Sequence, residues 1–111
     1  MRTRLAVILS FMGLTALPAL AHHSFDAEYD STKPMTIVGF VTKVDWVNPH
    51  AFVYLDSKDD KGVVHTYRVE MGPPYALARS GWKKDTLRVG DKITIENAAL
   101  AKDGSNTAGS M

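Results

Sequence analysis

From Met35 onward, apolar and polar positions alternate with a period of two. In residues 35–47 (MTIVGFVTKVDWV), Val38, Phe40, Val44 and Trp46 share one parity. Ile37 and Val41 share the other, on either side of Gly39. The stretch is rich in β-branched and aromatic residues, which fit a pleated, half-buried surface. Apolar residues on both faces with an internal glycine predict a long, bent first strand, bulged at Gly39. Asn48-Pro49-His50 predicts a turn, because Asn-Pro initiates turns and proline cannot donate to a ladder. Residues 51–56 (AFVYLD) predict a second strand, residues 57–62 (SKDDKG) a polar hairpin loop and residues 63–70 (VVHTYRVE) a third strand, closed by Gly72-Pro73-Pro74. Residues 75–80 (YALARS) predict a short helix, with the prolines suiting its first turn and Gly81 its end. Residues 92–101 (KITIENAALA) predict a fourth strand, with Ile93 and Ile95 facing one way. Lys102-Asp103-Gly104 is a hairpin signal. The final SNTAGSM reads as a weak fifth strand or a frayed end.

The order β-β-β-α-β-(β) predicts an all-β fold, a small OB-like Greek-key barrel. It has five strands, the last short or incomplete, and one short helix between strands three and four. An open five-stranded sandwich is the main alternative. Closure is expected through strand five pairing with strand one, for which seven small polar residues are poorly suited.

The first residues follow a different pattern. Arg2 and Arg4 precede an apolar run at residues 5–14, which Pro18 and then Ala19-Leu20-Ala21 follow. The run is shorter than the ~20 residues a spanning helix needs. A secretory signal cut after Ala21 is expected, hence an exported, periplasmic or secreted chain with no stable membrane anchor. The expected division is a signal peptide at residues 1–21, an N-terminal arm at 22–33 and the barrel domain at 34–111. The arm (HHSFDAEYDSTK) is polar and is expected to lie on the domain through Phe25 and Tyr29.

Composition narrows the chemistry. The 111 residues carry 13 Lys+Arg, 12 Asp+Glu and no cysteine. Disulfides, thiolate metal sites and a Cys nucleophile are excluded. Loss of residues 1–21 removes Arg2 and Arg4 and leaves 90 residues of net charge −1. That balance argues against nucleic acid as a partner.

Several short motifs occur together: His22-His23-Ser24-Phe25, Tyr29-Asp30, the strand at residues 39–46, Asn48-Pro49-His50, Gly72-Pro73-Pro74, Gly81-Trp82, Gly90-Asp91 and Lys102-Asp103-Gly104-Ser105. In this combination the chain resembles an uncharacterised family of small exported bacterial proteins, a domain of unknown function. The resemblance covers nearly the whole mature chain. It implies no established activity, so the site rests on the residues.

Four histidines are available: His22, His23, His50 and His65. After a cut at Ala21, His22 is amino-terminal. Its α-amine titrates near 7.7–8.0, so a metal can displace the proton near neutral pH. Amine and imidazole of one terminal His chelate Cu(II), and a further His in the plane completes a brace; His50 or His23 is the expected third donor. Nitrogen donors in a tetragonal arrangement suit copper, the top of the divalent affinity order. His65 shares parity with Val63, Tyr67 and Val69 and is expected to face inward as a satisfied core residue.

The alternative is a metal-free module that binds a periplasmic protein or a glycan through exposed aromatics, with Trp82, Trp46 and Tyr54 as its ligand-binding residues. Trp82, beside Lys83-Lys84, is expected to be the most exposed aromatic. A weaker reading is a helper subunit of a periplasmic redox enzyme. The Asp56, Asp59 and Asp60 cluster lacks EF-hand spacing. No catalytic signature occurs in the sequence, and a binding role is expected rather than catalysis.

Overall fold

The computed structural model describes residues 25–110; the predicted signal peptide, His22 and His23 lie outside them. Five strands, β1 (Met35–Asp45), β2 (Phe52–Lys58), β3 (Val64–Glu70), β4 (Lys92–Leu100) and β5 (Thr107–Ser110), form the barrel, with the helix α1 (Pro74–Arg79) between β3 and β4. They close in the order β1-β2-β3-β5-β4, an OB-like Greek key with one short helix.

The two-faced pattern of β1 has a local cause. Ile37 and Val41 point into the barrel and are 2% exposed, whereas Val38 and Phe40 point out and are 42% and 54% exposed. The register with β2 then slips between Val41 and Lys43. The extra residue turns the following parity over, so Val44 returns to the core side opposite Val53. The bulge therefore lies at Thr42 and not at Gly39, as the sequence suggested. Gly39 is special for another reason: a Cβ there would meet the Asp56 carbonyl oxygen at 2.3 Å, because β1 and β2 cross closely.

Closure also differs from expectation. β1 pairs antiparallel with β4, from Phe40↔Lys92 to Met35↔Ala98. β5 inserts between β3, which it joins in parallel, and β4, which it joins antiparallel. The small residues of β5 suit this place: Ala98, Ala99 and Ala108 are fully buried where these strands meet. Ile37, Val41, Val53, Leu55, Val69, Ala98 and Ala108 form the core, with Met71, Leu87, Ile93 and Ile95 among the half-buried residues around it.

Pro73 caps α1 in extended conformation and Pro74 opens it, where a missing N–H costs nothing. Gly81, at φ +92°, ends it. The Gly81 and Trp82 N–H groups donate to the carbonyls of Ala78 and Leu77, a Schellman arrangement that turns the chain back toward the barrel.

The arm is docked, as its aromatics implied. Residues 25–28 are helical, and Tyr29 is 4% exposed and bridges to Ala101. Asp30 donates its N–H to Leu100, and Lys102 donates to Glu28. Phe25 packs on Tyr29 with ring centroids 4.9 Å apart, and both rings lie over Gly109, which leaves no room there for a Cβ.

Candidate functional site

Arm and barrel enclose a groove of about 690 Å³, lined by Glu28, Tyr29, His50, Phe52, Arg68, Glu70 and Lys102 among others. His50 reaches it from the β1–β2 turn, whose Asn48–Pro49 peptide is cis. The His50 Nδ1 lies 2.9 Å from the Met71 carbonyl oxygen. A carbonyl only accepts, so Nδ1 carries the proton and Nε2 is left with its lone pair when the ring is neutral. That Nε2 is 3.5 Å from Glu70 Oε1. Glu70 is on the outward face of β3, opposite Phe52, and also accepts a hydrogen bond from the Tyr29 hydroxyl. Burial, the Glu70 bond and the Glu70 charge, in that order, raise the Tyr29 phenol well above its ordinary value near 10.

The pair has the spacing of a histidine–carboxylate ion pair, and both side chains are of types that can also donate to a metal. A ligating histidine characteristically donates its other ring N–H to a backbone carbonyl, which fixes the tautomer. Two donors each about 2 Å from one ion lie roughly 3 to 3.5 Å apart. His50 and Glu70 meet both conditions. Among the described residues, no three His, Asp or Glu side chains converge as a complete ligand set.

His22 and His23, the other expected donors, fall outside the described residues. Phe25, three residues after His22, is anchored at Tyr29, whose hydroxyl bonds Glu70. Three residues span at most about 10 Å. Glu70 was not singled out as a ligand from sequence; only its register opposite Phe52 and the turn of His50 toward Met71 bring it into play. Tyr29 carried a signal, as one of two isolated aromatics in a polar arm.

His65 does not enter the core. It shares the side of Tyr67 and Val69, but at the hairpin end that side has no core left to cover. Its Nε2 meets Asp59 Oδ2 at 2.9 Å, with both side chains over a third exposed. Asp59 is the organiser of the hairpin: it also accepts from the Lys61 and Val63 N–H groups, and the His65 bond, first among these, holds its carboxyl below the usual range.

The expected aromatic ligand residues are dispersed. Tyr54 lies on the outer barrel face, with Lys43 above its ring and its hydroxyl between Asp45 and Arg68. Trp46 is half-buried beyond the end of β1. Trp82 is half-buried too, turned by the helix end into an inward-facing cavity with Val53 and Val69. Among the described residues the most exposed aromatic is instead Tyr75, at 63%. Arg68 stacks its guanidinium 3.7 Å from the centre of the Phe52 ring at the groove wall. Among the described residues, no helix is long and apolar enough to cross a membrane.

A small OB-like barrel with a docked N-terminal arm and a histidine–carboxylate groove is the class of protein that fold and site define. The chain belongs to the family of unknown function DUF6152, whose model matches residues 11–110. No curated protein and no solved structure matches it.

Proposed function

We propose that this protein is an exported, periplasmic binding module that holds a divalent metal, copper first, in the groove between its arm and its barrel. The barrel supplies His50 Nε2, with Glu70 Oε1 as an oxygen donor beside it. The mature amino terminus supplies the α-amine and ring of His22, and His23 is the alternative donor. One observation carries this reading: His50 is locked by the Met71 carbonyl so that Nε2, the free donor, stands 3.5 Å from a carboxylate oxygen. The docking of Phe25 beside Tyr29 supports it, because Phe25 is three residues after His22 in the chain and Tyr29 bonds Glu70. Nitrogen and oxygen donors suit the metal, since the chain has no cysteine.

The test is Cu(II) titration of the chain beginning at His22, followed by electron paramagnetic resonance. A type-2 signal with nitrogen couplings is expected. His50→Ala should weaken binding by about ten- to a hundredfold, and one extra residue before His22 should remove the amine coupling. Unchanged binding by the extended chain would sink the amino-terminal part of the proposal. Unchanged binding by His50→Ala would sink the barrel part. Mass spectrometry of the exported chain tests the export premise directly; a start other than His22 overturns it.

A further inference from the structure

Arg68 projects from the outward face of β3, across from Tyr54 of β2 and beside Thr107 of β5. Its guanidinium lies over the Phe52 ring, 3.7 Å from the ring centre. Its Nε–H donates to the Tyr54 hydroxyl at 3.3 Å, and that hydroxyl donates in turn to Asp45. Stack and hydrogen bond hold the group from two sides. Among the described residues, Arg68 forms no ion pair. Its two terminal amino groups, which carry four of the five N–H donors of a guanidinium, are left without a charged acceptor.

Arg68, Phe52 and Thr107 all line the groove of about 690 Å³ between arm and barrel. That volume is in the range that takes a small organic molecule and goes well beyond the need of one metal ion. Two of the groove's carboxylates are engaged away from Arg68. Glu70 accepts from the Tyr29 hydroxyl and stands beside His50, and Asp103 accepts from the Ser105 N–H within its own turn. Glu28, from the arm, lines the groove as well. The groove therefore joins a cationic end at Arg68 to an acidic side at Glu28 and Glu70.

We propose that the Arg68 end of this groove binds the carboxylate of a small organic acid. The two terminal amino groups take its oxygens in the bidentate arrangement that guanidinium and carboxylate share, and the Thr107 hydroxyl adds an uncharged donor beside them. Stacking on Phe52 orients the fork before the ligand arrives, so less side-chain entropy is lost on binding. A spherical anion such as chloride engages the fork in one direction only and gains less. Phosphate matches the fork, but its additional charge meets Glu28 and Glu70, so a singly charged carboxylate is favoured. Neither Arg68 nor Thr107 is a donor to the proposed metal, so this site stands or falls separately from the metal reading.

The probe is sodium acetate, titrated into the intact metal-free chain at constant ionic strength, with acetamide and inorganic phosphate as comparisons. Nuclear magnetic resonance shifts of the Arg68 Nε–H and of the amides at residues 68 and 107 read the binding. Saturable shifts with a Kd of about 1–10 mM are expected, with acetamide silent and phosphate at least about fivefold weaker. Arg68→Lys keeps the charge but loses the fork, and should weaken acetate binding by about tenfold. Phe52→Leu keeps the arginine but removes its stacking platform, and should weaken binding by about threefold. Unchanged binding in Arg68→Lys, shifts that do not saturate by about 50 mM acetate, or phosphate binding as tightly as acetate would each overturn the proposal.

Discussion

At Gly39 one absent methyl group decides how closely β1 and β2 cross. A Cβ would sit 2.3 Å from the Asp56 carbonyl oxygen and 3.2 Å from Leu55 Cδ1, and the first of these is backbone that cannot rotate away. Gly39→Ala is therefore expected to destabilise the barrel by roughly 1–3 kcal/mol, as overpacking does. The urea midpoint measures it; a loss under about 0.5 kcal/mol would show that the strands part there at no cost. The sequence marked Gly39 as unusual, but a strand glycine signals a bulge and a close backbone approach alike. Only the register separates them, and it puts the bulge three residues further on, at Thr42. His50 shows the same limit. Its turn was legible from Asn48-Pro49, whereas its lock on Met71 and its nearness to Glu70 depend on where β3 ends in space.

Among the elements, β5 is the one whose pattern misled most. Thr107–Ser110 contains no large apolar residue, and hydrophobicity alone rates it as frayed. Its worth lies in being small. Ala108 is fully buried beside Val69 on one flank and Leu100 on the other, where a larger side chain has no space. Ala108→Leu should cost roughly 1–3 kcal/mol and speed amide exchange in β5 before any other strand. Exchange that accelerated uniformly instead would mean that closure by β5 and the rest of the barrel form one cooperative unit. The strands with longer apolar alternation, β2 and β3, were placed by sequence to within two residues. Their period of two is set by packing Val53, Leu55 and Val69 against one core, which any pairing partner preserves.

For the whole molecule, the consequential contact joins the arm to the barrel through Tyr29 and Glu70. The arm holds Phe25 against Tyr29 and over Gly109, and the proposed metal site depends on this docking. The Tyr29 phenol is raised above its ordinary value near 10, chiefly by burial and then by Glu70. A group whose folded pKa lies above its unfolded one contributes stability that is complete below the unfolded value. That contribution is lost as pH climbs through about 10 toward the folded value. The exposed Asp30, Asp59 and Asp103 shift downward instead, so their small contributions fade only in acid. The arm should accordingly detach in an alkaline transition beginning near pH 10, before the barrel opens. Tyrosinate absorbance and near-ultraviolet circular dichroism would follow it. In Tyr29→Phe the phenol is gone, so docking should be weaker at neutral pH but no longer sensitive to alkali. An alkaline midpoint identical in Tyr29→Phe and the parent would refute the assignment and place the transition elsewhere in the barrel.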